Sequence, residues 1–432
     1  MNSDVIAKPL SSPLSGEIFI PPDKSISHRG IIIGSLTGGK VKISNFSKGG
    51  DCVSTLNIFK NLGLEVEIID DKNLVINSKN GLKESINPLD CGNSGTSMRL
   101  LSGYLSGQKF NSVLFGDESL SKRPMKRVIE PLELMGAKIE SNANKAPLKI
   151  TGSKLRGIAY SSKIASAQVK SSILLAGFHA SGETTVFEPS LSRDHTEKMF
   201  KYFEADIKTG KNENGFYSSI RNSFLIPKDL FIPGDISSAA FFMVAAAIVE
   251  GSDVIIRNVG LNETRTGIID VMKQMNADIE ILDLRIVNNE EIGDIRVKYS
   301  PDLKGIEIKG DIIPRLIDEI PVICVLAANA KGTVVIKDAS DLKNKESDRI
   351  KCVADELLKM GADVIPTGDG FIIEGGKKLN GGSELNCYHD HRLAMSFYVA
   401  SLASKKESLI KDFHWVNTSF PEFLNLFNKL GA

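Results

Sequence analysis

Thr333-Val334-Val335-Ile336, then a polar junction, then an amphipathic stretch closing on Met360-Gly361-Ala362: the chain of 432 residues returns to this succession six times. The β-branched run predicts a strand. Ile350, Val353 and Leu357 fall at helical spacing, and Gly361 predicts a left-handed helix C-cap. Another copy starts at Lys40-Val41-Lys42-Ile43-Ser44, continues through a helix from Asp51 with Val53, Leu56 and Phe59 at helical spacing, and ends at Leu62-Gly63. The next runs from Ser112-Val113-Leu114-Phe115 to Met135-Gly136-Ala137. The remaining three end at Phe203-Glu204-Ala205, Met275-Asn276-Ala277 and Leu430-Gly431-Ala432. Asp51 suits an N-cap, and Pro124 a first-turn position.

The copies recur about every 70 residues, too long for one strand and one helix apiece. Further strands are predicted at Glu65-Val66-Glu67-Ile68-Ile69 and Leu74-Val75-Ile76, and a second helix from Thr96. The fold class is therefore α/β (α+β), with six similar units in two domains of three. A turn-prone seam, Ile232-Pro233-Gly234-Asp235, lies about halfway along. The seam divides the chain about in half; the expected domains are residues 21–233 and residues 1–20 with 234–432.

Composition narrows the function. Lys plus Arg equals Asp plus Glu at 53 each, so the formal net charge is zero; a general nucleic-acid binder needs a net basic surface. The longest apolar run, 239–249, is too short to span a bilayer, which takes about 20 residues, so no membrane association is expected. The five cysteines are scattered with no paired spacing, which predicts neither a disulfide framework nor a zinc site and fits a cytoplasmic protein. His389 and His391 lack a third ligand at metal-like spacing, and no metal is expected.

Chemistry concentrates at the polar junctions. Pro21-Pro22-Asp23-Lys24-Ser25-Ile26-Ser27-His28-Arg29 gathers cations and hydroxyls where a strand gives way to a helix, a natural seat for an anion. Gly92-Asn93-Ser94-Gly95-Thr96 lets backbone N–H groups approach an anion but lacks the Gly-Lys-Ser/Thr of a Walker loop. Lys122-Arg123-Pro124 projects Arg123 at a helix start. Ser166 and Gln168 are neutral hydrogen-bonders ahead of an apolar helix, Arg193 follows, and His195 invites a general-base reading beside an equally ordinary structural one. Asp318-Glu319 opens another buried helix, as a base or as an N-cap, and Lys345-Glu346-Ser347-Asp348-Arg349 and Asp390-His391-Arg392 complete the set. Lys24, Arg29, Arg123, Arg193, Lys345, Arg349 and Arg392 suit small ligands bearing phosphate and carboxylate groups, with Asp318 and Glu346 for proton transfer.

These junctions, in this order, resemble the enolpyruvyl transferase family in its 5-enolpyruvylshikimate-3-phosphate synthase branch, over nearly the whole chain to Thr418-Ser419-Phe420-Pro421. The resemblance implies two domains, each of three βαβαββ units in an inside-out α/β barrel arrangement, closing over substrate. It implies transfer of the enolpyruvyl group of phosphoenolpyruvate to the 5-hydroxyl of shikimate 3-phosphate, with no cofactor and a monomeric chain. By the same resemblance Lys24, Ser25, Arg29, Ser166, Gln168, Arg193, Asp318 and Lys345 take shikimate 3-phosphate. Lys24, Gly95, Arg123, Gln168, Arg349 and Arg392 take phosphoenolpyruvate. Asp318, Glu346 and Lys24 are the catalytic set. Two positions depart from the family pattern: Thr418 where many members have Lys, and Ala167 where others have a second Ser. Ser166-Ala167-Gln168-Val169-Lys170 and Arg193-Asp194-His195-Thr196-Glu197 resemble the second class, often tolerant of the inhibitor glyphosate, and Gly95 moderates that expectation. Two rivals remain at this point. One is the UDP-N-acetylglucosamine enolpyruvyl transferase, whose reactive Cys has no counterpart in Asp117-Glu118-Ser119-Leu120-Ser121. The other is a non-catalytic phospho-ligand or RNA-end binding protein of the same build.

Overall fold

Each of the six Gly-Ala-type positions closes a helix in the computed structural model, which describes residues 4–432. Gly63, Gly136, Glu204, Asn276, Gly361 and Gly431 all have positive φ, between 65° and 98°. After each of them the next N–H reaches back to a carbonyl five residues earlier, as in Ala137 to Leu132 at 3.0 Å and Ala362 to Leu357 at 3.0 Å. This double-bonded cap satisfies orphan carbonyls and turns the chain into the next strand. Glycine or asparagine meets the left-handed requirement at five sites, and Glu204 meets it at a steric cost.

The described residues form two compact units. One holds residues up to 21 with 233–285 and 291–432; the other holds 22–232 with 286–290. Each contains three small sheets with one ordering rule. A short leading strand runs parallel to the next strand, and that strand's other neighbour is antiparallel. In the 22–232 unit, Ala159–Ser161 pairs parallel with Thr184–Glu188, which pairs antiparallel with Gly215–Ile220. A helix fills the connection between each parallel pair, and the unit reads βαβαββ.

The rule is broken at two places, and both are informative. The strand Ser15–Phe19 precedes the helix Lys24–Gly34 in sequence, yet it pairs with Asp253–Gly260. The strand Leu230–Phe231 precedes the helix Ile236–Ile248, yet it pairs with Lys40–Ser44. Each leading strand therefore stays in the unit the chain is leaving, which it does at residues 21–22 and 232–233.

The connecting helices Lys24–Gly34, Gly95–Ser106 and Ala167–His179 form the middle of the 22–232 unit. Ile31, Ile32, Ile33, Leu100, Leu101, Ile173 and Leu174 are fully buried there. Ile236–Ile248, Ile320–Asn329 and His391–Leu402 play that part in the other unit. Helices apolar on every side belong in a core. The outer helices, such as Arg349–Lys359, are one-sided, with Ile350, Val353 and Leu357 inward as the spacing predicts.

In the 22–232 unit His28 is sealed in the core, and His179 is partly buried at the end of Ala167–His179. Burial pushes His28 down to about 3 and His179 down to about 4. In the unfolded chain both imidazoles take up a proton near 6.5, so between about 4 and 6.5 the unfolded state binds more protons and stability falls as pH falls. The expected loss approaches about 2.7 kcal/mol per pH unit near pH 5 for the two together. Urea midpoints at pH 7.5 and 5.5 measure it, and a His28→Gln/His179→Gln variant should lose most of the difference. An unchanged slope in that variant would refute the assignment.

Candidate active site

In the 22–232 unit, the buried helices Lys24–Gly34 and Gly95–Ser106 are tied through the outer helix Gly50–Asn61 by a chain of short hydrogen bonds. His28 Nδ1 meets Thr55 Oγ1 at 2.7 Å, Thr55 Oγ1 meets Ser97 Oγ at 2.7 Å, and Ser97 Oγ donates to Ser94 Oγ at 2.7 Å. Asp23 caps the first helix by accepting from the Ile26 N–H at 2.8 Å, and Ser94 caps the second through the Ser97 N–H at 3.1 Å. Helix N-termini gathered in this way favour anions through their N–H groups and dipoles.

Around them stand the predicted cations. Lys24 pairs with Asp51 at 3.0 Å. Asp51 is thus an ion-pair partner inside the first turn of Gly50–Asn61, and the N-cap predicted for it falls to Gly49. Arg29 is 3% exposed, and protein oxygens hold its guanidinium: Nε donates to Thr196 Oγ1 at 2.7 Å, Nη1 to the Ser25 carbonyl at 3.0 Å and Nη2 to Ser171 Oγ at 2.8 Å. Its fixed charge lies just beneath Ser25. Arg123 sits at the C-cap of the short helix Glu118–Lys122 and donates to Asn93 Oδ1 at 2.9 Å. The predicted helix start at Pro124 is displaced, since the next helix begins at Lys126.

Gly95 is the meeting point of several groups. A Cβ there would lie 2.6 Å from Arg99 Nη1 and 3.4 Å from Arg123 Nη1. Arg99 Nη1 donates to Gln168 Oε1 at 2.9 Å, and Gln168 Nε2 donates to Thr96 Oγ1 at 3.1 Å. Arg99 was not among the predicted residues, although its position four after Gly95 on one helix face was a usable signal. Gly95→Ala must displace Arg99 from Gln168. On the assignment of Gly95 to phosphoenolpyruvate that the resemblance implies, the expected result is a rise of about tenfold in the phosphoenolpyruvate KM, the size of one charge-assisted hydrogen bond; steady-state kinetics check it, and an unchanged KM contradicts it. Ser166 is the N-cap of Ala167–His179, but its hydroxyl makes no capping bond; its N–H donates to Glu188 Oε1 at 3.1 Å. His195 is buried with Nδ1 2.7 Å from Glu290 Oε1, which decides for the structural reading.

In the other unit the five predicted residues converge. Asp318 Oδ1 lies 3.1 Å from Lys345 Nζ and 3.5 Å from Arg349 Nη1. Arg349, 1% exposed, also takes Glu346 at 2.6 Å and the fully buried Asp390 at 2.8 Å. Burial works to lower the Arg349 pKa, but Asp390, Glu346 and Asp318 outweigh it and hold the guanidinium above its usual range. Asp390 in turn caps His391–Leu402 through the Arg392 N–H at 2.9 Å. Arg392 Nη1 lies 3.4 Å from the Asp318 carbonyl and 3.9 Å from Glu319 Oε1. Glu319, not Asp318, is the N-cap residue of Ile320–Asn329, and it makes no capping bond. Asp318 therefore keeps its carboxylate at the surface of a cationic cluster, where it can exchange a proton with a substrate.

Among the described residues no group of His, Cys, Asp and Glu could hold a metal ion, and no helix is long and apolar enough to cross a membrane. Thr418 is exposed and donates to the Trp415 carbonyl at 2.7 Å.

The model of the EPSP synthase family (3-phosphoshikimate 1-carboxyvinyltransferase) matches residues 9–427. The chain belongs to the EPSP synthase family. A relative from Thermodesulfovibrio yellowstonii named 3-phosphoshikimate 1-carboxyvinyltransferase is 51% identical over 421 residues, covering 96% of this chain and 97% of the relative. One of the same name from Geotalea uraniireducens is 49% identical and covers 98% of each. Among solved structures, EPSP synthase from Acinetobacter baumannii superposes with a TM-score of 0.89 at 46% identity, over 99% of this chain and 98% of that one. The enolpyruvyl transferase NikO from Streptomyces tendae shares the fold, with a TM-score of 0.80 at 16% identity, over 100% of this chain and 98% of that one. The UDP-N-acetylglucosamine alternative is not favoured by relatives at about half identity that carry the shikimate-phosphate name.

Proposed function

We propose that this EPSP synthase family member transfers the enolpyruvyl group of phosphoenolpyruvate to the 5-hydroxyl of shikimate 3-phosphate and releases phosphate, a step of aromatic amino acid biosynthesis. The observation that carries the reading is the pairing of Asp318 with Lys345 and Arg349, with Glu346 and Arg392 beside them, in a chain matched to the family over residues 9–427. The hydroxyl loses a proton while the methylene carbon of phosphoenolpyruvate gains one. The C–O bond forms, giving a tetrahedral adduct. Loss of phosphate and of a methyl proton then restores the double bond. Asp318 takes the hydroxyl proton, and Glu346 with Lys24 serves the methylene carbon. Lys24, Gly95, Arg123, Gln168, Arg349 and Arg392 take phosphoenolpyruvate; Lys24, Ser25, Arg29, Ser166, Gln168, Arg193, Asp318 and Lys345 take shikimate 3-phosphate. Fixed cations stabilise the departing phosphate without having to reorganise. Five free, buried cysteines fit a cytoplasmic setting, and a monomer suffices because one chain supplies every residue named.

Mass spectrometry of shikimate 3-phosphate incubated with phosphoenolpyruvate and purified protein tests this. A gain of one enolpyruvyl group is expected; unaltered shikimate 3-phosphate contradicts the reading. Glyphosate should inhibit with an inhibition constant near or above the phosphoenolpyruvate KM, as moderate tolerance requires. A constant well below that KM would overturn the tolerance.

A further inference from the structure

Beneath Ser166 and Arg193 lies a closed ionic cluster that the proposed chemistry does not use. Lys170, on the helix that Ser166 begins, is 1% exposed. All three of its ammonium donors are taken: Glu188 Oε2 at 2.8 Å, Glu197 Oε1 at 2.8 Å and the Ser192 carbonyl at 3.3 Å. Glu188, at the end of its strand, uses its other oxygen to accept from the Ser166 N–H at 3.1 Å and the Ser192 hydroxyl at 2.6 Å. Glu197 Oε1 also accepts from Ser218 Oγ at 2.9 Å. Glu188, Ser192 and Glu197 are each under 5% exposed.

The cluster has a defined mechanical position. Residues 162–166 and 189–194 belong to no strand or helix, so no ladder fixes them. Glu188 and Lys170 join the two segments at Ser166 on one side and Ser192, the neighbour of Arg193, on the other. Desolvating one ammonium and two carboxylates is costly, and an apolar filling of similar volume is often as stable or more so. A buried charge set that touches two irregular segments at their ligand-bearing residues is therefore better explained by placement than by stability. Burial works to lower the Lys170 pKa, but Glu197 and Glu188 overcome it, so the ammonium stays charged.

We propose that Lys170 and Glu188 are positioning residues for shikimate 3-phosphate, holding Ser166 and Arg193 at the spacing that ligand requires. This rests on the assignment of Ser166 and Arg193 to shikimate 3-phosphate, so the wild-type enzyme is assayed in parallel; absence of wild-type turnover would reject that reading and not the positioning role. Two variants serve as the test. Ser192→Ala deletes only the hydroxyl bond to Glu188. Lys170→Met/Glu188→Gln removes one charge of each sign and leaves the cluster's net charge unchanged. Expected is a rise of about tenfold in the shikimate 3-phosphate KM for Ser192→Ala, and more for the double variant, the size of lost charge-assisted bonds. The phosphoenolpyruvate KM and kcat should stay within about twofold, since the Gly95 side is untouched. A merely structural cluster would lower thermal stability and leave both KM values alone, or raise them together; either result overturns the proposal. If the double variant does not fold, Ser192→Ala decides.

Discussion

Asp318→Ala should lower kcat by about a thousandfold or more while both substrates still bind. General acid–base groups contribute about 10²–10⁴ in rate, and Asp318 is the base in the reading proposed above. The carboxylate is ion-paired with Lys345 and Arg349. Its removal leaves two cations for ligands that are themselves anionic, so binding constants should hold within a few-fold or tighten. Calorimetric titration with each substrate, alongside steady-state turnover, separates the two effects. A kcat within tenfold of the parent would remove Asp318 from the role of base.

The second large effect concerns stability and activity together. Arg349→Met should cost about 3–5 kcal/mol, because it strands a buried carboxylate. Asp390 is fully buried, 2.8 Å from Arg349 Nε, and caps the helix that carries Arg392. Removing the guanidinium also leaves Glu346 and Asp318 facing each other's charge without it. Arg349→Met/Asp390→Asn should recover roughly half of the lost stability, since both buried charges leave together, yet turnover should stay lost because the proposed phosphoenolpyruvate contact is gone. Urea denaturation and turnover measured on the same samples check this. Equal stability of Arg349→Met and the parent would contradict the pairing scheme.

How much of this was legible in the sequence differs by element. The helix ends were, because a left-handed cap is a local demand that glycine and asparagine advertise; even Glu204, with no such advertisement, was placed by its phase in the repeat. The cluster around Asp318 was legible as motif chemistry, since its cations fall on two short segments whose order along the chain is distinctive. The exchange of leading strands was not: pairing of Ser15–Phe19 with Asp253–Gly260 spans more than half the chain, and no local pattern encodes it. Asp51 looked like an N-cap because caps are common, but Lys24 is 27 residues away and took its carboxylate. His195 needed Glu290, 95 residues on, before its role was readable. Arg99 and Lys170 were visible as residues, but their partners became known only with the fold.

The central claim, enolpyruvyl transfer to shikimate 3-phosphate, is most directly tested by phosphate release from purified protein given phosphoenolpyruvate with one acceptor at a time. Continuous release with shikimate 3-phosphate, and none with UDP-N-acetylglucosamine or with phosphoenolpyruvate alone, is the predicted result. No release with shikimate 3-phosphate, or release driven by UDP-N-acetylglucosamine, would contradict it.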